Sequence, residues 1–270
     1  MQELSEIFPP MNLSLVISVI GSFLIGYLAS LLSGFHMPWL RKYVSGRYFR
    51  KLLKLGAGSI VVVYRHQNPA IERKLPPVAL EDVMALRNVL SILSEMGIRK
   101  PKIRHPEAME DSDYKGNIIS IGGSVRNSLT KEILNEPVNG DCLDFISNDD
   151  DDGNIVFKRG ENMIYTSPSY KMEDTDAPDA PLDDLAIILR RPNPKNESCS
   201  VIVLAGVRGI GTWGASDHLR KYASQLYRRI RKDPEGALSK GFLAVLDVKY
   251  EKFDIRKSRI KDITSVEENA

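Results

Sequence analysis

Residues 7–40 contain no Asp, Glu, Lys or Arg, and this uncharged stretch constrains the fold more than any other feature of the sequence. As a helix, its central part at residues 11–33 would cross a hydrocarbon layer of about 30 Å, at a rise of about 1.5 Å per residue. A cleaved signal peptide fits less well, because Glu3 and Glu6 precede the apolar core. The sequence therefore predicts one transmembrane helix at residues 11–34, after a short extracytoplasmic N-terminus at residues 1–10.

The basic residues beside this stretch predict its orientation. None lies before the stretch, and six follow it, namely Arg41, Lys42, Arg47, Arg50, Lys51 and Lys54. Lys and Arg concentrate on the cytoplasmic side of a membrane helix. We therefore expect a single-pass protein of the cell membrane, with its N-terminus outside and its C-terminal domain in the cytoplasm.

Small side chains recur every fourth residue inside the stretch and would form one stripe of a helix. They are Ser14, Ser18, Ser22, Gly26, Ser30 and Gly34. Small residues at this spacing let two helices approach closely in lipid, so the stripe predicts self-association into a homo-oligomer. The alternative is that the Ser hydroxyls bond carbonyls of their own helix and that the stripe has no partner.

The segment at residues 35–56 combines the six cations with aromatic residues, which are Trp39, Tyr43, Tyr48 and Phe49. Aromatic rings favour the headgroup level of a membrane and cations favour anionic lipid. We therefore expect this juxtamembrane segment to contact membrane lipid. Nucleic acid is an unlikely partner, because the net charge of the whole chain is only +2.

Residues 57–260 have the length and composition of one cytoplasmic α/β domain, and residues 261–270 form a tail. Short extended runs alternate with turn residues at 141–184, which predicts an insertion of hairpins and loops. The spacing of Cys142, Cys199 and the four histidines predicts no metal site. The acidic run at residues 149–152 also lacks a complete calcium ligand set, because Arg159 stands where the bidentate Glu would be.

Apolar runs and helical periods predict the elements of this domain. We expect helices at residues 78–96, 127–134 and 216–231, and the main strands at residues 59–64, 102–104, 117–121, 185–190, 201–205, 242–248 and 253–256. Strands that alternate with helices pair in parallel, whereas a short turn makes 185–190 and 201–205 antiparallel. The predicted fold class is α/β, with a mixed, mainly parallel sheet and flanking helices behind the transmembrane helix.

The first candidate ligand loop joins the strand at 117–121 to the helix at 127–134. Gly122 and Gly123 let the chain turn sharply, and Ser124 or Asn127 can cap the helix. The free N–H groups of the first helical turn attract an anion, so a phosphate or carboxylate would fit. A plain turn with a capped helix is an equally good interpretation.

The second candidate loop follows the strand at 201–205 and contains four glycines in nine residues. Gly209, Gly211 and Gly214 match G-x-G-x-x-G formally, but the motif does not begin where the strand ends, and no acidic residue closes a second strand about twenty residues later. The sequence therefore argues against a standard NAD site. We predict a phosphate-facing loop of another kind, formed by Gly206, Arg208, Gly209, Gly211 and Thr212.

Three segments carry a resemblance to a known class of domains. NIISIGGSVRNSLT, LAIILRRPNP and VIVLAGVRGIGTWGAS resemble the Rossmann-like nucleotide-handling domains of prokaryotic sensor and effector proteins. The resemblance covers roughly residues 117–250. It implies a Rossmann-like fold and recognition of a nucleotide or nucleotide derivative, and it assigns no catalytic residue.

Three functions remain open at this point. The first is a sensor or effector module that binds a nucleotide-like or other phosphate-bearing ligand through the two glycine loops. The second is an enzyme that hydrolyses or transfers a group on such a ligand, with Asp217 or His218 as acid or base. The third is a membrane scaffold without a small ligand. The sequence has no metal-protease, serine-hydrolase or P-loop motif, which favours binding over catalysis.

Overall fold

The computed structural model describes residues 13–32, 38–64, 79–136, 143–148, 154–159, 163–165, 182–232, 237–251 and 254–266. The chain divides into two compact units, Met1–Val44 and Ser45–Ala270. Helix α1, Leu13–Leu32, lies in the first unit, and helix α2, Pro38–Leu53, begins in the first unit and ends in the second.

The prediction of a transmembrane helix at residues 11–34 is wrong for the described part of the chain. Among the described residues, no helix combines the length and the apolar character needed to cross a membrane. The last residues of the uncharged stretch lie outside that predicted helix, in the basic helix α2.

Described side chains of α1 include large exposed apolar groups, such as Phe23 at 80% and Ile25 at 70% exposure. The Ser22 hydroxyl donates a hydrogen bond to the carbonyl of Ser18 at 2.8 Å. This is the bond within one helix that the sequence offers as the alternative to self-association. The self-association of this stripe stays a prediction.

The second half of α2 packs onto the core of the second unit. Phe49, Leu52 and Leu53 are buried because their spacing puts them on one side of the helix. Arg47, Arg50, Lys51 and Lys54 are exposed. Phe49, Leu52 and Leu53 of the predicted juxtamembrane segment therefore stabilise the domain itself, and these four cations remain at the surface.

The remaining elements alternate along the chain. The helices are α3 (Leu80–Glu95), α4 (Asp111–Tyr114), α5 (Ser128–Asn135) and α6 (Gly209–Ile230). The strands are β1 (Ile60–Val63), β2 (Lys102–Arg104), β3 (Asn117–Ile121), β4 (Leu143–Asn148), β5 (Asn154–Arg159), β6 (Met163–Tyr165), β7 (Leu182–Asn193), β8 (Asn196–Gly206), β9 (Phe242–Glu251) and β10 (Asp254–Ser265).

Seven strands form a mixed sheet in the order β10-β9-β7-β8-β3-β1-β2. The strands β2, β1, β3 and β8 pair in parallel, and β8, β7, β9 and β10 pair antiparallel. The α/β architecture with flanking helices is as predicted, but the expectation of a mainly parallel sheet is wrong. The short turn between β7 and β8 and the long β9–β10 hairpin make half of the sheet antiparallel.

Strands β4, β5 and β6 form a separate antiparallel sheet. Residues 141–184 were expected to hold hairpins and loops, and these three strands lie inside that range. Leu143 and Phe157 of this small sheet are buried in the same apolar cluster as residues of the large sheet.

Alternate residues of the central strands face two separate apolar clusters. On β8, Ile202 and Leu204 belong to the cluster that contains α2, α3 and α6, whereas Val201 and Val203 belong to the cluster that contains α5. Strands that are buried on both faces have continuous β-branched runs in the sequence. This explains why β1, β3 and β8 could be predicted.

The positions of these helices create a topological switch point. The chain passes from β3 into α5 on one face of the sheet and from β8 into α6 on the other face. Because β3 and β8 are parallel neighbours, their two carboxyl ends lie side by side with helices diverging from them. In open α/β sheets, ligands bind in the crevice at such a point.

Candidate functional site

A cavity of about 290 Å³ lies at the carboxyl ends of β3 and β8. Three segments line it, which are the β3–α5 turn, the β8–α6 turn and the first turn of α3. Both glycine loops singled out in the sequence therefore open into one cavity.

Seven of the nine predicted ligand-binding residues line this cavity, namely Gly122, Gly123, Asn127, Gly206, Arg208, Gly209 and Thr212. The other two, Ser124 and Gly211, are buried and are not among the lining residues. Ile121, Val125, Arg126 and Val207 line the cavity from the same turns without having been singled out.

The β3–α5 turn is held by Asn127, whose side chain is fully buried. Its Oδ1 accepts hydrogen bonds from the N–H groups of Leu129 and Thr130, at 3.1 and 3.2 Å, and so caps α5. Its Nδ2 donates to the carbonyl of Ile121 at 2.9 Å. Gly122 has a φ of +108°, a conformation that favours glycine. Asn127 thus fixes the turn, while Gly122 and Gly123 expose backbone to the cavity.

The β8–α6 turn requires glycine for close packing. A Cβ at Gly206 would collide with the backbone of Gly211 and Thr212, and a Cβ at Gly211 would collide with the carbonyl of Leu185. A Cβ at Gly214 would meet the side chain of Val248. These glycines let the start of α6 lie directly against β7 and β9.

Helix α6 begins at Gly209, seven residues earlier than predicted, so much of the second glycine loop is helical. Glycine is a poor helix former, which is why the sequence pattern favours a loop here. The close packing of Gly211 and Gly214 against the sheet outweighs that preference.

Asp184 is the main element of the site that the sequence analysis missed. Its side chain is 1% exposed and accepts hydrogen bonds from three backbone N–H groups. These are Leu185 at 2.8 Å, Arg208 at 3.1 Å and Gly211 at 2.6 Å. The carboxylate therefore caps α6 from the neighbouring strand. In the sequence, Asp184 ends an Asp- and Pro-rich run that reads as a surface loop.

Burial raises the pKa of Asp184 to about 6, and this effect outweighs the hydrogen bonds from Gly211, Leu185 and Arg208, which lower it. At neutral pH the group is still mainly ionised. An internal negative charge thus already occupies part of the N-terminus of α6, where a ligand phosphate was expected.

The first turn of α3 adds residues that no motif indicated. Ala79 occupies the N-cap position of α3 and provides no side-chain hydrogen bond. Ala79, Glu81 and Asp82 all line the cavity, and the Glu81 side chain packs 3.2 Å from the position of a Cβ at Gly209. The sequence did not predict this contribution, because helical periodicity indicates the helix but not where its end lies in the fold.

The cavity carries both signs of charge. Arg126 and Arg208 are exposed at its wall, and Glu81 and Asp82 are half-buried. Such a wall can bind an anionic group and, beside it, groups that donate hydrogen bonds. Trp213, which could have stacked on a ligand, instead packs against the apolar cluster beneath α6.

The two catalytic candidates lie further along α6 and do not line the cavity. Asp217 pairs with Lys221 at 2.8 Å. His218 is buried, and its Nδ1 lies 2.8 Å from the Ser258 hydroxyl on β10. Burial, with a smaller contribution from Arg229, lowers the pKa of His218 to about 4. Both side chains therefore have structural contacts, and neither reaches the cavity.

Within the described residues, no group of three or more His, Cys, Asp or Glu is arranged to hold a metal ion. Comparison with models of known protein families gives no match, and comparison with curated protein sequences gives none either.

Proposed function

We propose that this protein binds a nucleotide-like, phosphate-bearing small molecule in the cavity at the carboxyl ends of β3 and β8, as a sensor or effector module. One observation carries the proposal. The two glycine turns, separated by more than eighty residues in sequence, line one cavity at a topological switch point of the sheet.

The wall of the cavity suits a phosphate. The N-termini of α3 and α5 meet the cavity and contribute partial positive charge, whereas Asp184 offsets that of α6. Arg126 and Arg208 can form charge-assisted hydrogen bonds with phosphate oxygens. The backbone N–H groups of Arg208 and Gly211 already donate hydrogen bonds to Asp184. We therefore assign the phosphate to the side chains of Arg126 and Arg208 and to the β3–α5 turn.

The acidic residues of the cavity suit the rest of a nucleotide. Carboxylates accept hydrogen bonds from ribose hydroxyls, as they do in dinucleotide sites. Glu81 and Asp82 line the cavity from the first turn of α3. The volume of about 290 Å³ is close to the lower bound of about 300 Å³ for small-molecule sites, which favours a mononucleotide over a dinucleotide.

Binding rather than catalysis is proposed because Asp217 and His218 do not line the cavity. The enzyme alternative would need Glu81, Asp82 or a ligand-bound group to do the chemistry. Turnover of a bound nucleotide by the purified protein would revive that alternative.

The direct test is calorimetric titration of the full chain with inorganic phosphate and with a set of nucleoside mono- and diphosphates. We expect at least one nucleotide to bind, and Arg208→Ala to weaken it about tenfold or more, since a hydrogen bond to a charged group contributes about 1.5–3 kcal/mol.

Arg220→Ala is the matched control, because Arg220 is an exposed arginine of the same helix that does not line the cavity. It should leave the affinity unchanged. Absence of binding by every probe, or equal loss in both variants, would refute the proposal.

A further inference from the structure

A second surface of the Ser45–Ala270 unit carries a concentration of exposed cations. It is formed by the end of α2 and the C-terminal end of α6, and we call it the basic surface. Its cations are Arg47, Arg50, Lys51, Arg228, Arg231 and Lys232. Arg99 and Lys100, which follow α3, are exposed as well.

Direct contacts hold these helix ends together. The rings of Tyr48 on α2 and Tyr227 on α6 are 5.6 Å apart, and Lys51 Nζ lies 5.1 Å from the centre of the Tyr227 ring. Arg50 Nη2 donates to the carbonyl of Met96, just after α3, at 2.9 Å. The cations of α2 and α6 therefore belong to one surface.

The charge of this surface is not neutralised within the described part of the chain. None of its six cations lies within ion-pair distance of a described carboxylate, whereas Lys221 on the same helix pairs with Asp217. Cations in the last turn of α6 interact favourably with the helix dipole. The same explanation covers Arg50 and Lys51 in the last turn of α2, but not Arg47. Because none of the six cations has a described carboxylate partner, the surface keeps a net positive charge.

We propose that the basic surface binds an anionic lipid surface. Lipid headgroups need cations spread over a broad face, which two adjacent helix ends provide. Single-stranded nucleic acid would need aromatic rings free for base stacking, but Tyr48 and Tyr227 pack against each other and are half-buried.

The inference is independent of the proposed ligand, because no residue of the basic surface lines the cavity. Each Lys or Arg near an anionic leaflet contributes about fivefold in affinity, which corresponds to about 1 kcal/mol.

The test is flotation of the full chain with two kinds of vesicle, phosphatidylcholine alone and phosphatidylcholine mixed with phosphatidylserine. We expect binding to the mixed vesicles that weakens as salt rises. Replacing two cations, Arg228→Gln with Arg231→Gln, should weaken that binding by about 25-fold, as the product of two fivefold steps.

The matched control is Lys131→Gln with Lys249→Gln, two exposed lysines on α5 and β9 away from the basic surface. It should retain binding, and thermal melts should show that both double variants are folded. A mixed-sequence RNA is titrated in parallel. Binding that does not depend on phosphatidylserine, equal loss in both double variants, or binding only to RNA would each overturn the proposal.

Discussion

Asp184 shows how one buried carboxylate organises the site. It lies at the start of β7, yet it accepts hydrogen bonds from backbone N–H groups of the β8–α6 turn, which follows the neighbouring strand. The turn is therefore fixed before any ligand arrives. The consequence for recognition is that the anion of a ligand must bind beside this carboxylate, next to Arg126 and Arg208, rather than in its place.

Asp184→Asn should change how stability depends on pH. The pKa of Asp184 rises from its ordinary value of 3.8 to about 6 on folding. The folded state therefore holds the proton more tightly, so this group's contribution is fully present below about pH 4 and is lost as pH rises through about 6. The free energy of unfolding falls by about 3 kcal/mol in total over this range, at about 1.4 kcal/mol per pKa unit.

The variant lacks this titration. Urea unfolding of both proteins at several pH values should therefore show that the advantage of the wild type over Asp184→Asn is larger near about pH 4 than near about pH 7. Other titrating groups are common to both proteins and cancel in the difference. A difference in unfolding free energy that stays constant over this range would contradict the assignment.

At the scale of elements, the junction of β8 and α6 depends on how closely the two approach. Gly206→Ala should destabilise the protein by about 1–3 kcal/mol, because its Cβ would collide with the rigid backbone of Gly211 and Thr212. Thermal or urea unfolding measures this cost.

Gly209→Ala is the control from the same turn. Its Cβ would lie 3.2 Å from the nearest atoms of the Glu81 side chain, a contact that a shift of a few tenths of an ångström relieves. The substitution should cost much less than Gly206→Ala. Equal costs at the two positions would mean that backbone contact does not explain the requirement for Gly206.

The elements that could be predicted from sequence are those with strong local patterns. Buried β-branched runs located β1, β3 and β8, and a helical period located α3. The start of α6 was missed because its glycines are selected by contact with β7 and β9 rather than by local preference. Uncharged composition at residues 7–40 was likewise a poor guide, since it does not by itself make one continuous membrane helix.

At the scale of the whole molecule, the sequence located both glycine turns of the candidate site but not their partners. Glycines next to strand ends have a recognisable pattern, so Gly122 and Gly206 could be named. The order of the strands and the placement of α3 bring Asp184, Glu81 and Asp82 to the site. Those depend on long-range pairing, such as β7 beside β8, which a single sequence does not display.

Two buried titratable groups oppose each other in the pH dependence of the whole protein. Folding lowers the pKa of His218 from 6.5 to about 4. The unfolded state therefore binds the proton more tightly, so stability is lost as pH falls below about 6.5, by about 3 kcal/mol in total. This slope is opposite to that of Asp184.

His218→Asn retains a polar atom near Ser258 but does not titrate. Relative to the wild type, it should become more stable as pH falls from about 6.5 to about 4, as measured by urea unfolding at each pH. If the difference between the two proteins does not change with pH, His218 does not titrate in the way its burial implies.

Helix α6 connects the cavity and the basic surface, since the first lies at its N-terminus and the second at its C-terminus. Its 22 residues, with a kink at Tyr222, span at most about 33 Å. Electrostatic effects between exposed charges decay over about 8 Å at physiological ionic strength. A leaflet bound at the C-terminal end would therefore be several screening lengths from the cavity, and a negatively charged metabolite could enter it without being repelled by the lipid headgroups.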